Sequence, residues 1–389
     1  MAAKPKIAIL GAGMGGLASA AILNQMGADV CVYEQAPAFA RVGAGIQMSP
    51  NAVRVLRTLG LEERIRRIAF QPQHWRNRRW DTGEMQFELE LGAQAEEKYG
   101  APYLLLHRAD LHEALLSRVP ENLIAHSKKL TDVEQKNGSI FLKFADGSNA
   151  SADILIAADG INSRVRQIYF PAQQPRLSGR VAYRTVFPAA LIQKPVLDDN
   201  TKWWGEDRHI VIYYVNSSRN EIYFTTSVPD ADWTKESWSA TGDLGELRSA
   251  FDGFHDDVTR VLAACPQVHK WAIADRDPMP EWSNGQTILL GDSCHPMTPY
   301  MAQGAAQSLE DAVVLARCLE LYRFDDIKAA FSTYQETRHA RTSKIQLTSH
   351  RNTWMRKNTD GGEVYNYDAE TTPLLAVLKK DIRTSSISQ

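Results

Sequence analysis

The chain has 389 residues, with 44 lysines and arginines against 46 aspartates and glutamates for a formal charge of −2. That length supplies ample core, and the balance of signs, with no long run of either, excludes an electrostatic footprint for nucleic acid or anionic lipid. Four scattered cysteines, Cys31, Cys265, Cys294 and Cys318, show neither metal-ligand spacing nor a disulfide framework, which points to a reducing, cytoplasmic setting and a small-molecule partner.

Lys6 to Leu10 is an apolar run of the kind expected for a strand buried on both faces, and it is too short for a signal peptide or a membrane span. It meets the turn Gly11-Ala12-Gly13-Met14-Gly15-Gly16, which opens a helix through Leu17 to Met26 closed by Gly27. Asp29 to Tyr33 reads as a second strand ending at Glu34, giving a βαβ unit of the doubly wound kind. Pro50 to Leu59 reads as a helix, with proline at its start and Gly60 at its end. From Gln71 to Leu106, and again from Ala182 to Val228, alternating aromatic-rich segments predict antiparallel strands, notably over Arg208 to Tyr214 and Glu221 to Thr225. Ala152 to Ala157 and Thr287 to Leu290 return to the buried parallel type. After Ala302 the pattern is helical to about Thr348, and in the polar tail the apolar patch Pro373 to Leu378 is expected to pack back. The predicted fold is α/β: a discontinuous Rossmann-like dinucleotide domain over 1–71, 107–170 and 276–350, an inserted antiparallel-sheet substrate domain over 72–106 and 171–275, a C-terminal helical region, and a tail over 351–389.

Three glycine-acid stations carry the chemistry. At the first, Gly11 permits the tight turn, Gly13 lets backbone approach a pyrophosphate, and Gly16 lets helix and strand pack closely, with Glu34 placed for ribose hydroxyls. The second is Ala158-Asp159-Gly160 at a strand end. The third is Leu290-Gly291-Asp292, followed by Pro299 to Ala305, where an acid could hold a polyol and the amides of Gly304 and Ala305 at a helix start could meet the pyrimidine edge of a flavin. Each station alone is a turn; three in order point to one long dinucleotide, FAD, bound along the chain. The ten histidines form no H-x-H or H-E-x-x-H pair, so no metal site is expected. His295 is expected to be structural, and Trp203 and Trp204 to pack within a sheet.

On these residues, together with Tyr33 to Phe39, Lys202 to His209 and His295 to Ala305, the chain resembles the single-component FAD-dependent aromatic hydroxylases of the para-hydroxybenzoate hydroxylase type, over about residues 5 to 350. The likeness is strongest to members that act on 6-hydroxynicotinate. The resemblance implies FAD as cofactor, contacted by Glu34, Arg41 and Arg108, with Asp159 in the sequence shared by flavin and nicotinamide binding and Asp292 at the ribityl or pyrophosphate region. It implies NADH or NADPH as a transient cosubstrate, O2, a C4a-hydroperoxyflavin, and hydroxylation of a small hydroxylated N-heteroaromatic acid, with loss of CO2 where the attacked carbon carries the carboxyl. A monomer or homodimer is expected.

His209 and Tyr213 lie four apart on a predicted strand and so share a face; the resemblance turns that face towards the substrate. Gln47 and Tyr300 stand where the 6-hydroxynicotinate members carry histidine, and Asn200 falls near where a cysteine aligns. Each exchange replaces a titratable or soft group by a neutral hydrogen-bonding one, which opens the alternatives of 6-hydroxypicolinate, a hydroxybenzoate or salicylate, and hydroxylation without decarboxylation. Two further alternatives are a flavin oxidoreductase that never activates O2 and a flavin-binding regulatory protein without turnover.

Overall fold

The computed structural model describes residues 5–41, 43–193, 199–233, 240–356 and 360–375. Its first layer is a six-stranded sheet ordered Ser283–Asn284, Thr287–Leu289, Ile154–Ala157, Lys6–Leu10, Asp29–Tyr33, Ile124–Ala125, in which only the first pairing is antiparallel. The central strand is apolar throughout its last four residues because both faces are covered, by the packed helices Met14–Gln25 and Gly304–Leu321 and by an antiparallel meander over Leu130–Lys136, Ser139–Phe144 and Asn149–Ala152. This is a Rossmann-like architecture.

The second layer is a seven-stranded sheet ordered His269–Asp275, Arg176–Pro188, Glu221–Pro229, His209–Tyr214, Asn200–Trp204, His74–Arg79, Met85–Glu90. The two alternating stretches were expected to be antiparallel, yet they join through one parallel seam, Asn200–Trp204 against His74–Arg79. The end of the first stretch also departs from expectation: Ala93–Tyr99 is a helix, and Leu104–His107 pairs with Gly45–Met48 in a two-stranded ribbon. Gly100 ends that helix at φ 71°, a conformation glycine reaches without a Cβ penalty.

The expected continuous helix after Ala302 is two helices, Gly304–Leu321 and Ile327–His350, broken where Arg323 and Phe324 take left-handed φ of 52° and 60°. The longer one is stapled to the layer junction by Gln346, whose amide donates to the Arg276 and Pro296 carbonyls at 2.6 and 2.9 Å. The tail returns over the molecule: Arg54 donates to the Tyr365 and Tyr367 carbonyls, each at 2.9 Å, and Leu374 is buried while Leu375 is exposed. Ala376 to Leu378 of the expected apolar patch lie outside the described residues. No described helix is long and apolar enough to cross a membrane.

Candidate active site

The glycine turn divides into packed and open positions. Gly11 sits at φ 92°, and a Cβ there would lie 2.5 Å from the Ala158 carbonyl oxygen; one on Gly16 would strike the Gly11 carbonyl. Gly13 has nothing within 4 Å of where a Cβ would be, and as N-cap of the first helix it leaves the first-turn amides without a side-chain acceptor. Two glycines therefore serve the fold, and the third faces space beside free N–H groups, the arrangement an anion requires. Glu34 accepts from the amides of Ala12 and Ala36, both at 2.8 Å, so its carboxylate also fastens the turn itself.

Arg108 opens the helix Arg108–Leu116, and Asp292 lies in the short turn Gly291–Ser293. Both are accessible to solvent, yet both are surrounded by enough protein to be desolvated. Those facts together describe a deep trough. Its low dielectric raises the Asp292 carboxyl, opposed by His295, Arg108 and Arg166, and lowers the Arg108 guanidinium, opposed by Asp292. At Asp159 burial also raises the carboxyl; one oxygen accepts from the Arg164 amide at 2.8 Å, and the other, Oδ1, is buried without a partner. Pro299 is exposed at the start of the turn Pro299–Met301, and Ala302 at φ 53° swings the chain into the helix that Gly304 and Ala305 begin. That helix has no side-chain cap and no acidic residue in its first turn, and Gly304 is 3.9 Å from Asp292 at its would-be Cβ. Arg41 is ion-paired to Asp110, in the first turn of the helix that Arg108 opens, and is 3.8 Å from Glu221. The open glycine, two uncapped helix starts and an orphaned carboxylate oxygen along one run fit a long anionic polyol such as FAD.

The register of the seven-stranded sheet fixes a second set. Asn200 pairs with Tyr213, Lys202 with Val211 and Trp204 with His209; His209 pairs with Ser227 and Tyr213 with Tyr223. Paired residues share a face, so Asn200, Lys202, Trp204, His209, Tyr213, Tyr223 and Ser227 line one side, while Ile210, Ile212 and Phe224 line the other. The sheet brings the four expected substrate residues together in two pairs rather than one group. Gln47 accepts from Tyr103 Oη at 2.6 Å and hydrogen-bonds Tyr213, whose ring centroid is 5.1 Å from that of Tyr223. His209 meets Tyr300 at 5.5 Å between ring centroids, and Tyr300 Oη is 2.9 Å from Ser227 Oγ. Four strand residues, ~13 Å, separate the pairs.

Burial holds His209 well below its ordinary value, reinforced by the positive charges of Lys202, Arg180 and Arg356, so its imidazole is neutral. Burial holds the Tyr213 and Tyr300 phenols protonated. A cleft of about 350 Å³ opens at the His209–Tyr300 end, with Trp204, Arg180, Arg208 and Arg356 in its walls. Trp204, expected as sheet packing, therefore lines a cleft; Trp203, on the opposite face, stacks on His255 at 5.0 Å. Sequence reasoning gave no role to Lys202, though a charged residue inside an aromatic, alternating strand was a signal. His295, expected as structural, donates to Asp311 at 2.6 Å within a buried ion network that also holds Arg338, Glu310 and Arg341. Cys294, His295 and Asp311 offer ligand atoms within 4.8 Å of one another, a grouping no spacing rule anticipated, but Asp311 is already bonded by His295 and Arg338.

The chain matches the FAD binding domain family over residues 4–348, and it belongs to that family and, within it, to the FAD-dependent aromatic hydroxylases. FAD is its cofactor. It is 43% identical over 377 residues, 96% of this chain and 98% of the relative, to a 6-hydroxynicotinate 3-monooxygenase of Bordetella bronchiseptica. A 6-hydroxynicotinate 3-monooxygenase of Pseudomonas fluorescens is 41% identical over the same shares. Among solved structures, Klebsiella pneumoniae HpxO complexed with FAD and uric acid is similar with a TM-score of 0.79 at 27% identity, covering 96% of this chain and 95% of that one.

Proposed function

We propose that this protein hydroxylates a small hydroxylated N-heteroaromatic carboxylic acid of the 6-hydroxynicotinate type, with NADH or NADPH as electron donor, O2 as oxygen source, and loss of CO2 from the carboxyl-bearing carbon. The observation that carries the reading is likeness along nearly the whole of both chains to two enzymes named 6-hydroxynicotinate 3-monooxygenase. The setting is cytoplasmic, in keeping with four free thiols.

FAD, when bound, supplies hydride acceptance and oxygen activation. Around it, the Gly13 turn and first helix would hold the pyrophosphate, Glu34 the adenosine ribose, and Asp292 the ribityl or pyrophosphate region, with Arg108 contacting the cofactor beside Asp292. The start of the helix at Gly304 and Ala305 would stabilise negative charge on the ring system. We assign the described residues within 1–71, 107–170 and 276–350 to this half and those within 72–106 and 171–275 to the substrate sheet. Neutral His209 can accept a hydrogen bond from a ring hydroxyl, drawing its proton away and making the ring more electron-rich for attack. Tyr213, a phenol throughout the working pH range, orients the ring by hydrogen bonding and excludes water at its end of the face.

The test is oxidation of reduced nicotinamide by the FAD-loaded enzyme with 6-hydroxynicotinate under ¹⁸O2. A dihydroxypyridine carrying one ¹⁸O, formed with stoichiometric CO2, is expected. Nicotinamide oxidation without ¹⁸O in any product would overturn oxygenation; clean labelling of 6-hydroxypicolinate or a hydroxybenzoate alone would overturn the substrate. Gln47 and Tyr300 would then be the specificity determinants to examine.

A further inference from the structure

We infer that Lys202, with Asn200 two residues before it on the same strand, is the anchor for the carboxylate of the substrate; the inference rests on the aromatic-acid reading above. Lys202 is 2% exposed at the centre of a strand. Its ammonium lies 3.8 Å from the centroid of the Trp204 ring, and among the described residues no carboxylate forms an ion pair with it. The charge that does act on it is positive, from Arg356. Burying a lysine with no anion lowers stability, a loss tolerated where a ligand brings the missing charge.

The same sheet contains its own control. Lys270, 5% exposed, is ion-paired to Asp230 at 2.9 Å and Glu246 at 3.0 Å, and its ammonium is raised. Burial lowers Lys202 instead, to about 7. A bound carboxylate would restore its full charge.

A second observation points to the same place. Asn200 is fully buried, and neither its Nδ2 nor its Oδ1 has a partner. Asn200 pairs with Tyr213 across the strands, and Lys202 pairs with Val211, midway between Tyr213 and His209. Trp204, on which the ammonium rests, lines the cleft with His209 and Tyr300. One face thus offers a cation, an amide able to donate and accept, a phenol and a neutral imidazole. A monoanionic aromatic acid with a ring hydroxyl satisfies all four.

The experiment titrates FAD-loaded wild type, Lys202→Met and Lys202→Arg with two pairs of ligands by flavin absorbance: 6-hydroxynicotinate against 2-hydroxypyridine, and 4-hydroxybenzoate against phenol. Each pair differs only by the carboxylate. In Lys202→Met the acid that wild type prefers should bind on the order of 100-fold more weakly, its decarboxylated partner within about threefold, with FAD content unchanged. The melting temperature should be equal or higher, because an uncompensated charge has left the interior; Lys202→Arg should recover part of the preference. Equal weakening of acid and decarboxylated ring, or a lowered melting temperature with the preference retained, assigns Lys202 to packing on Trp204 and overturns the anchor. If Lys202→Met does not accumulate folded, Asn200→Ala decides: a fall of about tenfold in the preference supports the anchor, and no change overturns it. Wild type that prefers only 4-hydroxybenzoate overturns the pyridine reading and leaves the anchor standing on that pair. Wild type that distinguishes neither acid from its partner overturns both.

Discussion

Two buried polar regions of this molecule are built on opposite rules. Beneath the helix Gly304–Leu321, Arg338 donates to Asp311 at 2.7 Å and Glu310 at 2.6 Å, Arg341 meets Glu310 at 2.9 Å, and His295 meets Asp311 at 2.6 Å. Charges of both signs are matched. On the face of the seven-stranded sheet, Lys202 has no carboxylate among the described residues, Asn200 has two idle atoms, and His209 is surrounded by positive charge. The first region closes its interactions within the chain and so holds two helices and a turn in place. The second leaves them open, and open polar groups in a dry interior cost stability until another molecule completes them.

Breaking the closed region should have the largest effect. Arg338→Met takes the shared cation from Glu310 and Asp311, both fully buried, leaving each with a single charged partner, Arg341 or His295, and is expected to cost about 3 kcal/mol of stability, measured by chemical denaturation. Its pH dependence follows from Asp311, where burial alone would raise the carboxyl but His295 and Arg338 bring it down to about 2. Because the folded value is depressed, this stabilisation is complete above the ordinary value of 3.8 and is lost as pH falls through about 2. The gap in melting temperature between wild type and Asp311→Asn should therefore narrow below about pH 4.

The glycine turn repeats the contrast on a smaller scale. Gly16→Ala meets the Gly11 carbonyl and should impair folding, whereas Gly13→Ala enters open space and should leave the apoprotein's melting temperature unchanged while lowering FAD affinity about tenfold or more, read by flavin retention on dialysis. Equal effects of the two substitutions would remove the distinction between packed and open positions.

On the sheet face, Tyr213→Phe removes one hydroxyl and should weaken substrate binding about tenfold with FAD content intact. Unchanged binding and unchanged coupling of nicotinamide oxidation to product would remove Tyr213 from the site. The smallest effect is expected from Gln47→His, which puts a titratable ring beside Tyr103 and Tyr213. It should change kcat/KM for 6-hydroxynicotinate by about three- to tenfold and introduce a pH dependence near neutrality; a flat ratio to wild type across pH 6 to 8 would show that position to be indifferent.

Much of the fold was legible because its signals are local. Lys6 to Leu10, the glycine turn and Asp29 to Tyr33 are contiguous, and each states its own geometry through burial on two faces, positive φ and strand length. The meander over 130–152, which the expectations above lack, has an equally local signature: Asn137 and Gly138, at φ 53° and 77°, form the hairpin turn that an Asn-Gly pair announces. The even spacing of His209 and Tyr213 placed them on one face without a structure. Other features had no local signature. The parallel seam between His74–Arg79 and Asn200–Trp204 joins strands more than a hundred residues apart, and nothing within either strand encodes its partner.

The sequence by itself therefore determined the dinucleotide turn, the order of the acidic stations, the alternation of the sheet and, through resemblance, the class of chemistry. Only the tertiary structure decided that Lys202 is buried without an anion while Lys270 has two, that Asp159 keeps an idle oxygen, and that the four expected substrate residues fall into two pairs. The physical reason is that local conformation depends on neighbours along the chain, whereas desolvation and charge pairing depend on what distant segments bring to the same place.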